Sequence, residues 1–205
     1  MFFGCEKLNS LSLSNFDTKN VEDMRYMFSN CLNIRELDVG KLNTSKVKDM
    51  SNMFQDCHAL KELNVSNFDT RKVTNMANMF DGMGSLENLD VSNFITDQVT
   101  DMYKMFSFCL TLTKLDVSKF NTNKVTDMSY MFEDISNVLE LDVSKFNTSL
   151  VADMACMFKQ VQKVTSLDIF HFNTTLVKDM QSMFDYCRSI TNLNLKVLLQ
   201  KKFQT

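Results

Sequence analysis

The sequence predicts an α/β solenoid whose coils of 26 residues each contribute one short parallel strand and one short helix. Met-Phe pairs recur eight times at a constant spacing of 26 residues without an insertion. Every repeat shows alternating apolar residues followed by apolar residues three and four positions apart. One repeat has too few apolar residues to close a core, so successive coils must bury their faces against each other.

The predicted strand occupies the alternating segment. Leu37 and Val39 are apolar, whereas Glu36 and Asp38 are polar, as expected of a short strand with one buried face. The equivalent apolar pairs are Leu63 and Val65, Leu89 and Val91, Leu115 and Val117, Leu141 and Val143, Leu167 and Ile169, and Leu193 and Leu195. Each repeat is therefore expected to add one parallel strand to a common sheet.

The predicted helix follows the strand. Val47, Met50, Met53, Phe54 and Cys57 would share one helical face and point into the core. An acidic residue two positions after the valine would lie in the first helical turn, where the helix dipole favours negative charge. This acidic column comprises Asp23, Asp49, Asp101, Asp127, Asp153 and Asp179.

A corner connects strand and helix through a Phe-Asx-Thr segment such as Phe120 to Thr122. The aromatic column predicts an interior stack, and the Asx residue supplies turn chemistry. The threonine column is unbroken from Thr18 to Thr174. We interpret its hydroxyls as bonded to backbone, in preference to an ice-ordering face, because only a single threonine rank is present.

The cysteines predict buried free thiols. Five of the six share one column with Met, Ile and Val, which is typical of a core position. A Cys5 to Cys31 bridge is compatible with the coil spacing, although parallel Cβ vectors disfavour it. Cys156 lies outside the column and is predicted to be the most exposed thiol. The absence of a Cys-x-x-Cys pair argues against zinc, and no residue is assigned as a metal ligand.

Composition excludes several functions. The net charge is -3 and the basic residues are scattered, which disfavours nucleic acid as a partner. No apolar run approaches the roughly 18 residues that cross a bilayer, so this segment is not expected to insert into a membrane. His58 and His171 are the only histidines, and no glycine-rich phosphate loop is present. The sequence therefore predicts a protein that is not an enzyme and needs no cofactor.

A longer string carries a family resemblance. Leu-Asp-Val-Ser-Asn-Phe-x-Thr-x-x-Val-Thr-Asp-Met-x-x-Met-Phe-x-x-Cys is nearly complete from Leu89 to Cys109 and recurs along the chain. It resembles the BspA-like leucine-rich repeat surface proteins of the bacterial surface 26-residue repeat class. The resemblance implies a right-handed, leucine-rich-repeat-like coil at the cell surface or outside the cell, and adhesion to a protein or glycan such as a host or matrix component.

The domain prediction is a single solenoid over residues 1–195, with about seven and a half repeats, followed by a partial cap or truncated repeat at 196–205. Met1 and Phe2 are already in register with the next repeat, so we expect a segment of a longer chain. The alternative to a recognition module is a structural scaffold whose uncapped ends self-associate end to end.

The candidate ligand surface is the outward side of the strand. Its predicted binding residues are Asp38, Asp90, Asp116, Asp142, Asp168, Phe170 and His171. Adjacent carboxylates at the strand spacing of about 4.8 Å repel each other, so the cost must be offset. Two interpretations stay open. The carboxylates accept hydrogen bonds from nearby serines, from backbone or from Lys114, Lys119 and Lys145, or they bind a basic protein patch, a glycan or Ca²⁺.

Overall fold

The computed structural model describes residues 1–193 and forms a stack of coils. β1 (Ser10–Leu11) pairs in parallel with β2 (Glu36–Leu37), and β3 (Ser166–Leu167) pairs in parallel with β4 (Asn192–Leu193). The predicted cap at 196–205 lies outside the described residues. The repeat solenoid is confirmed, while the right-handed sense of the coil stays a prediction.

The strand side is paired only in places. The strands lie where the alternating pattern predicts them, but they are two residues long and begin one residue before the leucine. One further bridge joins Glu62 to Asn88. Within residues 1–193, no bridge continues from Asn88 to Lys114 or from Glu140 to Ser166. This side of the solenoid is therefore open between several coils.

The opposite side carries a continuous backbone ladder where we predicted a helix. Parallel bridges join successive coils from Asp23 to Asp179, through Asp49, Asn75, Asp101, Asp127 and Asp153. Met24 N–H donates to Asp49 C=O at 3.0 Å, and Phe28 N–H donates to Met53 C=O at 2.9 Å. The predicted short helix is wrong, because residues 1–193 contain no helix. The acidic column consequently lies in this ladder rather than in a first helical turn.

Successive β-turns replace the helix. Met27 N–H donates to Met24 C=O at 3.2 Å, and Cys31 N–H donates to Phe28 C=O at 3.1 Å. Tyr26 and Asn30 have positive φ values of 55° and 58° at the third position of these turns. Packed helices stand about 8–10 Å apart, whereas paired strands are about 4.8 Å apart. A helix on this side would therefore prevent the close coil spacing that the backbone ladder requires.

The apolar columns form the core as predicted. The Met-Phe phenylalanines stack along the solenoid, with ring centroids 5.6 Å apart for Phe28 and Phe54 and 5.9 Å apart for Phe54 and Phe80. The corner column is also interior, because Phe120 is only 3% exposed and Phe172 is fully buried. Each Met-Phe ring from Phe28 to Phe158 stacks on the rings of the coils before and after it, so the core is continuous along the stack.

The threonine column ties neighbouring coils together. Thr122 Oγ1 donates to Asn147 C=O at 2.9 Å and accepts a bond from Asn147 N–H at 2.7 Å. The same reciprocal pair of bonds is made by Thr18, Thr44, Thr70, Thr96 and Thr148. The predicted bond to backbone is confirmed, but its partner belongs to the next coil.

All six cysteines are free, and most are buried. Cys57 Sγ donates to Phe28 C=O on the preceding coil at 3.3 Å, and burial raises its pKa to about 12. The prediction for Cys156 is wrong, because this thiol is buried and packs beside Tyr130. Cys5, on the first coil, is exposed instead.

Candidate functional site

The five predicted ligand aspartates occupy equivalent outward positions of the coils, and Phe170 and His171 follow the last of them. We call the surface formed by these seven residues the acidic strand face: Asp38, Asp90, Asp116, Asp142, Asp168, Phe170 and His171. All seven are exposed to solvent. Each aspartate directly follows the inward leucine of its coil, and its backbone position therefore sets its outward direction.

Each carboxylate of this face closes a small turn. The Oδ1 atoms of Asp90, Asp116 and Asp142 accept bonds from the backbone N–H two residues ahead, at 2.9 to 3.0 Å. Ser118 Oγ also donates to Asp116 Oδ1 at 2.6 Å. Hydrogen bonds from the serines hold the pKa of all three carboxyl groups below its usual value. The predicted offset by serine and backbone donors is confirmed.

These bonds leave half of each carboxylate available. They use Oδ1, and among residues 1–193 no hydrogen bond engages Oδ2 of Asp90, Asp116 or Asp142. Because the lowered pKa keeps the groups ionised, Oδ2 presents negative charge to solvent at neutral pH. A turn role and a ligand role are therefore compatible in the same side chain.

Two grooves run between coils on this face. The first has a volume of about 480 Å³ and lies between Lys114 to Asp116 and Leu139 to Asp142. The second, of about 350 Å³, lies between Leu139 to Val143 and Thr165 to Asp168. The grooves coincide with the coils that lack strand pairing, apart from one long bond of 3.4 Å from Leu139 N–H to Thr113 C=O. Backbone polar groups and carboxylates thus line the same openings.

Leu139 is the exposed apolar residue that lines both grooves, and our sequence reasoning missed it. Its side chain is 59% exposed although it is fully apolar. The equivalent position in other repeats is polar: Asn9, Arg35, Lys61, Glu87, Thr113, Thr165 and Thr191. This break in a polar column is a signal that the sequence alone contains. An exposed leucine beside the row of aspartates gives the face a place for an apolar contact.

The aromatic edge of the face follows Asp168. Phe170 is 50% exposed, and its N–H donates a long bond of 3.3 Å to Asp168 Oδ1. The His171 ring meets the edge of the buried Phe172 ring at a centroid distance of 5.2 Å. The predicted aromatic edge therefore lies on the surface, and the His171 ring packs on the buried Phe172 ring of the core.

Residues 1–193 contain no cluster of three or more His, Cys, Asp or Glu side chains that could hold a metal ion. Ca²⁺ takes six to eight oxygen ligands, and a single row of carboxylates at the strand spacing does not converge on one ion. The Ca²⁺ alternative for the acidic strand face therefore lacks a site.

The described part of the chain also contains no helix that is long and apolar enough to cross a membrane.

A second acidic column lies on the ladder side of each coil. Asp101 Oδ1 accepts a bond from Tyr103 N–H at 2.9 Å, and Asp127 and Asp153 make the equivalent bond. Burial raises the pKa of Asp101, and the neighbouring charges of Asp127 and Asp49 raise it further. Asp101 differs in this respect from Asp90 and Asp142 of the strand face, which are exposed and have lowered pKa values.

Comparison with known proteins identifies the repeat. A family model described as "Mycoplasma protein of unknown function, DUF285" matches residues 1–65, 55–139 and 108–202. These repeats fit a BspA-like repeat protein, so the predicted resemblance is confirmed. No curated protein matches the chain.

Two solved structures match the chain at low sequence identity. A leucine-rich repeat protein from Bacteroides ovatus ATCC 8483 has 16% identity and a TM-score of 0.46, covering 91% of this chain and 55% of that one. A leucine rich cell surface protein from Faecalibacterium prausnitzii A2-165 has 12% identity and a TM-score of 0.25, covering 84% and 76% respectively. The chain thus spans about half the length of the first of these structures.

Proposed function

The chain belongs to the Mycoplasma family of unknown function DUF285, and we propose that it is a non-catalytic recognition module at the cell surface. It binds a protein or glycan through the acidic strand face. The BspA-like repeat supports the surface location, because the class is one of surface proteins. The acidic strand face supports the mode of binding.

The open grooves on this face are the observation that carries the proposal. Where strand pairing is continuous, backbone N–H and C=O groups satisfy each other and offer a ligand little. Between Lys114 and Ser166 the pairing is interrupted, and Leu139, Asp116 and Asp142 border the openings. A partner with basic or hydroxyl groups gains hydrogen bonds to Oδ2 atoms and an apolar contact with Leu139 at one place.

A recognition role also agrees with the chemistry of the side chains. Charge-assisted hydrogen bonds to a carboxylate are about twice as strong as neutral ones, so each aspartate is a useful acceptor. The regular spacing of the coils lets several aspartates contact one extended ligand at once. Protein partners with lysine or arginine rows and glycans with hydroxyl groups both meet this pattern.

The test compares two triple variants with the same change in charge. Asp90, Asp116 and Asp142 are replaced by Asn in the first, and Asp101, Asp127 and Asp153 in the second, which lies on the ladder side. Both are measured with wild type against a glycan array and immobilised basic matrix proteins. We expect the first variant to lose binding and the ladder-side variant to retain it.

The control separates local contact from overall charge. Each variant removes three carboxylates, so a general electrostatic attraction would weaken equally in both. Binding that is equal in the two variants and wild type would refute the proposal. Binding that falls equally in both would also refute it, because the strand face would then have no special part.

A further inference from the structure

A notch interrupts the solenoid surface at Gly82 and Gly84. In the described coils, the position of Gly84 otherwise carries Glu6, Leu32, His58, Leu110, Ser136, Gln162 and Arg188. The position of Gly82 otherwise carries Gly4, Asn30, Asp56, Phe108, Asp134, Gln160 and Tyr186. Among the described coils, only this one lacks both side chains, and a cleft of about 340 Å³ opens there.

Backbone geometry explains only one of the two glycines. Gly82 has a positive φ of 74°, a conformation in which glycine avoids strain. Gly84 does not have a positive φ, and a Cβ added to it would meet nothing closer than Leu110 Cδ1 at 3.7 Å. A larger side chain would fit at Gly84, so the fold itself does not require a glycine there.

The walls of the notch differ in character. Asp56 and His58 come from the preceding coil, while Phe108 and Leu110 come from the following coil. The backbones of the two walls are two coil spacings apart, which is about 10 Å. Phe108 and Leu110 are each 39% exposed. One wall is therefore polar and the other apolar, with room for a flat group between them.

The polar wall presents hydrogen-bond acceptors. The Asp56 carboxylate leans over Gly82, where a Cβ would collide with it. His58 Nδ1 lies 2.5 Å from Gly82 C=O, and because a carbonyl only accepts, Nδ1 is the donor. His58 Nε2 lies 3.6 Å from Asp56 Oδ1. The Asp56 carboxylate is thus the acceptor that faces the opening.

The charge of the cleft favours a cation. Asp56 and the buried Asp81 contribute two carboxylates, against the single ammonium group of Lys104. That ammonium also lies 5.6 Å and 5.3 Å from the ring centroids of Tyr103 and Tyr130, within the range of cation–π attraction. The lining is therefore net negative on the side of Asp56.

We propose that this notch binds an arginine side chain of a protein partner. The guanidinium group stacks on Phe108 and donates N–H bonds to the Asp56 carboxylate. The methylene stem packs on Leu110. Arginine suits the site better than lysine because its planar head can stack and donate in two directions at once. The notch is separate from the acidic strand face, and the proposal does not depend on it.

The test uses the peptide acetyl-Gly-Arg-Gly-amide in an NMR titration of the whole chain. We expect saturable shifts of the Gly82, Gly84 and Leu110 amides with a millimolar dissociation constant. The same peptide with citrulline, which is uncharged and nearly isosteric, should bind at least about tenfold more weakly, since it loses the charge-assisted bonds.

Two variants locate the site. Gly84→Leu fills the notch with the residue found at the equivalent Leu32 and Leu110, and it should abolish the shifts. Ser136→Leu makes the same addition two coils away and should leave binding unchanged. Asp56→Asn should weaken binding about tenfold without filling the notch, whereas Asp134→Asn, at the equivalent position, should not.

Several outcomes would overturn the inference. They are the absence of saturable shifts, equal binding of the arginine and citrulline peptides, or unchanged binding in both Gly84→Leu and Asp56→Asn. Preserved amide dispersion in each variant confirms that its fold is intact. The strand-face triple Asn variant should still bind the peptide, so failure of the proposed function and failure of this inference are distinguishable.

Discussion

Removing one threonine hydroxyl tests how the coils are held together. Thr122 is 1% exposed, and its hydroxyl makes two bonds to the backbone of Asn147, at 2.9 Å and 2.7 Å. Thr122→Val keeps the shape of the side chain but removes both bonds. Each hydrogen bond contributes about 0.5–1.5 kcal/mol, so we expect the free energy of unfolding to fall by about 1–3 kcal/mol.

Urea denaturation followed by circular dichroism measures this loss. The matched control is Thr175→Val, because Thr175 is exposed and the same chemical change there should stay within about 0.5 kcal/mol. Amide hydrogen exchange gives an independent measure, since the Asn147 N–H should exchange faster in Thr122→Val alone. Equal denaturation midpoints and unchanged exchange at Asn147 would refute the view that the threonine column joins the coils.

Three further predictions follow from the core and the ladder. Phe120→Ala should lower the free energy of unfolding by about 3–5 kcal/mol, because Phe120 is buried. Lys163→Ala, on the exposed surface, should leave the denaturation midpoint unchanged. Equal denaturation midpoints for the two variants would show that Phe120 is not a core residue. Burial and neighbouring charges raise the pKa of Asp101 in the folded protein. Ionisation of this carboxyl therefore opposes folding once the pH rises above the pKa that Asp101 has in the unfolded chain. Asp101→Asn should therefore raise the denaturation midpoint at pH about 7 but not at pH about 3, and a lower midpoint at neutral pH would contradict this. The thiols can be alkylated without reductant and counted by mass spectrometry. Native protein should label first at the exposed Cys5, and unfolded protein should label at all six thiols. Fewer than six labels on the unfolded protein would indicate a disulfide.

The inward columns could be predicted from the sequence because burial depends mainly on apolar character. Val47, Met50, Phe54 and Cys57 are all fully buried, although the secondary structure predicted for them was wrong. Residues three and four positions apart share a helix face, but successive β-turns bring the same positions inward. Periodicity therefore predicted which side chains face the core and did not distinguish between two backbones that satisfy it.

The choice between those backbones depends on neighbours that one repeat does not reveal. A helix satisfies its N–H groups within the segment, whereas Met24 and Phe28 donate to the next coil. The reciprocal bonds of Thr122 with Asn147 likewise join residues 25 positions apart. Cys156 was misplaced for the same reason, because its cover includes Tyr130 from the preceding coil.

The sites proposed above lie where a column departs from its usual residue. Stacking requires the same backbone path in every coil, so inward positions and tying residues such as Thr122 repeat with little variation. Outward positions meet no such requirement, and a coil can change there at small cost to its neighbours. Leu139 in a polar column and Gly84 in a column of larger side chains are changes of this kind. Because neither is needed for the stack, a function in binding is the more economical explanation for both, and substitution at either should alter recognition while leaving the solenoid folded.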